Sequence, residues 1–93
     1  MNGFSIRYHP QVPEKDLPRL DPVTRKRIRR AINFRLSQSP EIFGKPLKYS
    51  FKGLWALRVG DWRVVYKIKK TEVYILRICH RRDVYTLALR ERE

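Results

Sequence analysis

The stretch from Gly53 to Tyr85 constrains the fold of this chain more than any other. It holds three segments in succession, Leu54–Val59, Trp62–Ile68 and Val73–Cys79, each rich in Val, Ile, Trp or Tyr and each bounded by short polar turns. Such segments read as strands, and connections this short make them antiparallel neighbours. Gly60-Asp61 lies between the first two and suits a two-residue type II′ hairpin, which needs positive φ at its first position. Lys69 to Glu72 turns the second strand into the third.

Closing the first turn on Gly60 and Asp61 sets Val59 opposite Trp62, Arg58 opposite Arg63, Leu57 opposite Val64 and Trp55 opposite Tyr66. Closing the second symmetrically sets Ile68 against Val73, Tyr66 against Ile75 and Arg63 against Ile78. Opposed residues share a face of a sheet. One face therefore collects Trp55, Leu57, Val59, Trp62, Val64, Tyr66, Ile68, Val73, Ile75 and Cys79, a core face with Arg77 as its awkward member. The other collects Leu54, Ala56, Arg58, Arg63, Val65, Lys67, Tyr74, Leu76, Ile78 and His80, so that Arg58, Arg63 and His80 converge near the Gly60-Asp61 turn. Like charges directly opposite one another repel. A bound phosphate would account for the Arg58–Arg63 pair, and so would two solvated arginines splayed apart at a hairpin end.

Upstream, Phe4 to His9 alternates apolar with polar residues and reads as a short strand. Glu14 to Leu20 has room for one or two helical turns. Asp21-Pro22 is a helix start, with Asp suited to the N-cap and Pro to the first helical position, and the helix should run to about Ser37. Thr24, Ile28, Ala31, Ile32, Arg35 and Leu36 form the side that packs on the sheet, while Lys26, Arg27, Arg29, Arg30 and Asn33 form the other. That basic side is either a solvated face or a surface for a polyanion. Ser39 to Pro46 reads as a loop, Leu47 to Lys52 as an extended lead-in, and Thr86–Glu93 as a short strand or helical turn with a frayed end.

Charge narrows the choice of partner. The chain has 22 Lys and Arg against 9 Asp and Glu in 93 residues, a net charge of +13, which suits a nucleic acid or an acidic protein. This length predicts one domain over residues 1–93. The single cysteine, Cys79, allows no internal disulfide and fits a reducing cytosol, so a cytoplasmic protein is expected. Charged residues interrupt every apolar stretch, and no membrane partner is expected. No P-loop, dinucleotide fingerprint or zinc signature occurs, so neither cofactor nor metal is expected. Cys79 and His80 are adjacent in a strand, point to opposite faces and make a poor nucleophile–base pair.

The charged groups suit phosphodiester cleavage instead. Cutting RNA needs a base for the 2′-hydroxyl, an acid for the leaving oxygen and cations for the charge that develops on the phosphorus. His80 belongs to the side-chain type best fitted to proton transfer near neutral pH. Arg58, Arg63, Arg81 and Arg82 offer charge stabilisation, and Tyr85 is an aromatic platform for a splayed base. Trp62 points to the core side by the same alternation.

At these residues the chain resembles a known family. Lys45-Pro46-Leu47, the run from Gly53 through Trp62-Arg63-Val64-Val65-Tyr66, and Ile78-Cys79-His80-Arg81-Arg82-Asp83-Val84-Tyr85 look like the RelE branch of the RelE/ParE toxin superfamily. The resemblance covers most of the chain. It implies an α+β fold of one N-terminal strand, two helices and an antiparallel β-meander, in agreement with the order read above. It also implies the toxin of a type II toxin–antitoxin pair, which enters the ribosomal A site, cleaves mRNA there and is neutralised by an acidic antitoxin. On that resemblance Arg63 stabilises the scissile phosphate, Arg58 matches a basic position, Arg81 or Arg82 assists the leaving group, and Tyr85 is the C-terminal aromatic. The RNA- and ribosome-binding groups expected are the cations of the basic helix side, Lys26, Arg27, Arg29 and Arg30, together with Lys45. Two departures stand out: Ala56 replaces a family lysine, and His80 replaces a basic residue. The alternatives are a ParE-like gyrase inhibitor, which shares the Arg-Val-Val-Tyr strand but usually lacks the basic residue at 58 and the terminal Tyr, and an inactive RNA-binding homologue.

Overall fold

The computed structural model describes residues 3–48, 51–86 and 92. Strand β1 (Ser5–Tyr8) leads into two consecutive helical turns, a wide one over Val12–Asp16 and a tight one over Leu17–Arg19. Helix α1 (Pro22–Ala31) opens as its sequence dictates, with the Asp21 carboxylate accepting from the Thr24 N–H at 3.1 Å and the Thr24 hydroxyl at 2.5 Å. Those two bonds, the hydroxyl foremost, hold the Asp21 carboxyl below the usual aspartate range. The helix continues as a wider π-type stretch over Ile32–Leu36 and ends at Ser37.

The sequence from Ser39 to Pro46 is more ordered than a plain loop. Pro40–Phe43 forms a short helix, α2, and Lys45–Pro46 forms strand β2. β3 (Trp55–Val59), β4 (Trp62–Lys69) and β5 (Glu72–His80) complete a five-stranded sheet in the order β1-β5-β4-β3-β2. β1 lies parallel to β5, and the other neighbours are antiparallel. The result is the α+β arrangement of an N-terminal strand, helices and a meander.

The first hairpin has the expected register, including Arg58 opposite Arg63 and Val59 opposite Trp62. Gly60 has φ +62°, as the first position of a II′ turn requires. The second hairpin starts in register, with Ile68 opposite Val73 and Tyr66 opposite Ile75, and then slips. Val65 faces Arg77, Val64 faces Ile78 and Arg63 faces Cys79 rather than Ile78, because β5 carries one extra residue at a bulge. Uninterrupted alternation places Arg77 and Cys79 on the core face and Ile78 and His80 on the other. The bulge reverses all four.

Each face of the sheet then has its own core. Ile28, Ile32 and Leu36 of the helix bury against Leu57, Val64, Tyr66, Val73, Ile75 and Ile78 on the first face. On the second face Leu47, Phe51 and Val84 cover Leu54, Val65, Leu76 and Cys79. Beyond Tyr8, no strand among the described residues flanks β5 on its β1 side, and side chains bond its backbone groups there. Asp16 Oδ2 accepts from the Ile78 N–H at 2.9 Å, and Arg92 Nη1 donates to the Leu76 carbonyl at 3.2 Å. Asp16 and Arg92 are themselves paired, with both residues buried. The frayed end expected for Thr86–Glu93 does not hold at Arg92, and residues 87–91 and 93 lie outside the described residues. No helix among the described residues is long and apolar enough to cross a membrane.

Candidate functional site

Of the candidate groups, Arg58, Arg63, His80 and the Arg81–Asp83 turn lie at the end of the sheet that carries the Gly60-Asp61 turn, while Lys45 and Tyr85 lie further back along β3. β5 ends at His80, and the chain folds at once into the helical turn Arg81–Asp83. The Arg81 N–H donates to the Asp61 carbonyl at 2.8 Å, which docks this turn on the hairpin tip. The Arg81 Nε–Asp61 Oδ1 ion pair, at 4.0 Å and largely exposed, adds little to that bond. From inside, Arg77 Nη1 donates to the Asp83 carbonyl at 2.9 Å and to the Thr86 hydroxyl. Arg77 therefore braces the Arg81–Asp83 turn, a role made possible by the bulge that turns it away from the helix side.

Arg63 is half-buried, and its Nη1 donates to the Gly60 and Trp62 carbonyls at 2.9 Å each. The guanidinium is thus folded against the hairpin tip, with Nη1 anchored there. Arg58 stands exposed across the hairpin from it. Lys45 pairs with Ala56, so it shares the second face with Arg58 and puts a cation beside the position where the family lysine is missing. Tyr85 follows Val84 over the same face, half exposed, its ring 5.4 Å from that of Phe51 and its hydroxyl oxygen accepting from the Lys48 N–H at 3.4 Å.

His80 does not join Arg58 and Arg63. It lies opposite Trp62 on the helix side of the sheet, with the two rings edge to face at 5.7 Å. Its Nδ1 accepts from both the Arg82 backbone N–H and the Arg82 Nε, each at 3.3 Å. What His80 does in this geometry is orient Arg82.

Of the helix cations, Lys26, Arg27 and Arg30 line a groove of about 670 Å³ together with Arg58 and Gly60, between α1 and the hairpin. Arg29 borders a narrower apolar slot with Tyr8, Leu17 and Ile28. Burial in that slot pushes the Tyr8 hydroxyl up, against the opposing pull of the Arg29 cation. No cluster of metal-ligating side chains occurs among the described residues.

Cys79 is buried under Val84 on the second face, and burial pushes its thiol up to about 11, with the nearby Arg77 cation acting in the opposite direction. The thiolate is the reactive form, so Cys79 should resist alkylation at pH 8 in the folded protein and react rapidly once denatured. Mass-spectrometric counting of adducts with and without denaturant measures this, and rapid labelling of the native protein would contradict it.

Three groups that hold this region together were not legible in the sequence: Arg77, Asp16 and Arg92. Arg77 carried a signal, a charge at a position that simple alternation assigns to the core. Asp16 and Arg92 lie far apart in an otherwise charged sequence and carried none.

The chain matches the family model of the ParE toxin of the type II toxin–antitoxin system parDE over residues 6–85. It is 42% identical over 52 residues to toxin RelG of Mycobacterium tuberculosis, a match covering 54% of this chain and 60% of that protein. Among solved structures, the toxin–antitoxin complex RelBE2 of Mycobacterium tuberculosis superposes with a TM-score of 0.78 at 30% identity, over 84% of this chain and 98% of that one. A double mutant of the E. coli toxin RelE in its free state superposes with a TM-score of 0.72 over 96% of this chain and 93% of that one, and at 12% identity it speaks for the fold alone. A family match across residues 6–85, joined to a toxin fold 30% identical over most of the chain, makes this protein a member of the ParE toxin family, a type II toxin–antitoxin toxin of the RelE/ParE superfamily.

Proposed function

We propose that this toxin is an endoribonuclease that cleaves mRNA on the ribosome and is silenced by an acidic antitoxin. The observation that carries this reading is the Arg58–Arg63 pair at the hairpin tip, against which the Arg81–Asp83 turn is docked by the Arg81–Asp61 backbone bond. In the proposed reaction the 2′-hydroxyl passes its proton to water as its oxygen attacks the adjacent phosphorus, the bond to the 5′-oxygen breaks and that oxygen takes up a proton from water, leaving a 2′,3′-cyclic phosphate and a 5′-hydroxyl. Arg63 and Arg58 stabilise the charge that develops on the phosphorane oxygens, with Lys45 reinforcing the field. Arg81 and Arg82 face the leaving oxygen, His80 positions Arg82 through Nδ1, and Tyr85 stacks on a splayed base.

Antitoxin binding is supported by the structural relatives solved as toxin–antitoxin complexes, RelBE2 among them. An acidic polypeptide also matches a surface of net charge +13. The basic groups on α1 and β2, Lys26, Arg27, Arg29, Arg30 and Lys45, are exposed and suit rRNA or mRNA phosphates.

One observation favours a second reading. The family model that spans residues 6–85 is that of ParE, which supports a gyrase inhibitor that cuts no RNA. Arg58 and Tyr85 support the nuclease reading, since the ParE pattern usually lacks both. Incubating the purified toxin with mRNA, naked or loaded on ribosomes, tests the choice. Since no group among the described residues of the site is placed as a strong base, orientation by the ribosome should supply much of the acceleration, and cleavage on ribosomes should exceed that of naked RNA by about 10²-fold or more. Equal rates would contradict ribosome dependence, and intact RNA with inhibited gyrase would favour the second reading.

A further inference from the structure

The groove between α1 and the hairpin has a composition that neither a solvated helix face nor the Arg63 centre explains. Every charged side chain lining it is cationic, and the exposed Phe34 and Val23 line it as well. The arginines of α1 are not equivalent. Arg25 is committed to the fold, its Nε bonding the Leu17 carbonyl at 3.2 Å and its Nη2 the Leu20 carbonyl at 2.9 Å. Arg27, Arg30 and Arg58 take no hydrogen bond or ion pair within the described residues, although they line one groove and repel one another.

Arg27 reaches the hairpin tip itself: its Nη1 lies 3.2 Å from where a Cβ on Gly60 would stand. On the other side of that tip Arg63 Nη1 bonds the Gly60 carbonyl. Arg27, Arg30 and Phe34 stand three and four residues apart, so they form one stripe of the helix, about 10 Å long at 1.5 Å per residue. A row of guanidinium groups with no partner among the described residues, beside an exposed aromatic ring, is what single-stranded nucleic acid binds, with phosphates on the cations and a base on the ring.

We propose that this groove is a binding track for a single RNA strand, leading away from the Arg63 centre: Arg27 and Arg58 hold the phosphate next to the hairpin tip, Arg30 holds the following one, and Phe34 stacks on a base. That the strand is the toxin's own substrate rests on the nuclease reading above, while the groove's affinity for RNA does not. An acidic polypeptide is the competing occupant. Three guanidinium forks match phosphate geometry, and an aromatic in line with them matches the base that accompanies it, so RNA is favoured.

The test is fluorescence anisotropy of a 2′-O-methyl RNA hexamer, which cannot be cleaved, titrated with the purified toxin over a range of salt concentrations. Arg27→Gln should weaken binding and reduce the salt slope by about one, while Arg27→Lys should keep most of the slope. Phe34→Ala should weaken binding about tenfold with the slope unchanged, because stacking releases no counterions. Lys69→Gln, at the opposite end of the sheet, should move neither quantity. Arg27 and Phe34 are exposed, so both variants should keep the thermal midpoint of the parent, which is measured on the same samples.

The proposal is overturned if the parent does not bind the hexamer, if Arg27→Gln behaves as Lys69→Gln does, or if Phe34→Ala binds at full strength. It is also overturned if an oligoglutamate peptide of equal charge displaces the hexamer at equal concentration, which would mark the groove as a peptide site. Ribosome cleavage by the same proteins separates the two claims. Parent protein that binds with these signatures but cuts nothing keeps the track and removes the nuclease. Parent protein that cuts while Arg27→Gln and Phe34→Ala bind unchanged removes the track and keeps the nuclease.

Discussion

Arg63→Ala should lower mRNA cleavage on ribosomes by about 10²-fold or more while the protein stays folded. The activity loss is that of removing one group that stabilises transition-state charge. The stability effect is small because two terms oppose each other. The substitution removes the bonds from Arg63 Nη1 to the Gly60 and Trp62 carbonyls, worth about 1 kcal/mol each at most for a partly exposed group. It also relieves the repulsion from Arg58 directly across the hairpin. Arg63→Lys should recover little activity, since an ammonium presents a point charge where the guanidinium presents a fork. Thermal midpoint and cleavage rate on the same samples decide the matter. A destabilised protein with full activity per folded molecule would make Arg63 a structural residue.

The largest effect on stability should come from Asp16→Ala. Asp16 is 4% exposed, and its carboxylate accepts from Arg92 Nη1 at 2.5 Å, Arg92 Nη2 at 3.0 Å and the Ile78 N–H at 2.9 Å. Alanine would leave a buried guanidinium without its anion and a β5 N–H without its acceptor. Breaking such a pair costs about 3–5 kcal/mol, a large share of the roughly 5–15 kcal/mol that holds a typical domain together. Removing both charges together, as Asp16→Leu with Arg92→Met, should cost much less than Asp16→Ala, because no uncompensated charge remains. Denaturant midpoints for the three proteins test this. An Asp16→Ala protein as stable as the parent would show that the pair contributes nothing to the fold.

The same two regions show where the sequence was informative and where it was not. A glycine at the first position of a two-residue turn fixes a register, and with it the Arg58–Arg63 pair. Asp21-Pro22 likewise announces the start of α1 at its actual position. The β5 bulge left no comparable mark, because one extra residue within Leu76-Arg77-Ile78-Cys79 still reads as a strand. Its consequence was large all the same: Arg77 became the brace of the Arg81–Asp83 turn, and His80 moved away from the arginines it was expected to join. β2 is too short to show any alternation, so the position of Lys45 beside Ala56 could be read only from the pairing. Asp16 and Arg92 look like ordinary surface charges until the fold brings them together.

On the proposed function, this toxin acts on mRNA rather than on gyrase. Inducing it in cells and mapping the ends of cellular RNA, with plasmid topology followed in parallel, measures that most directly. New ends should appear within translated reading frames, be absent from cells expressing Arg63→Ala, and be accompanied by unchanged plasmid supercoiling. Intact mRNA accompanied by trapped gyrase–DNA cleavage complexes or loss of supercoiling would contradict it.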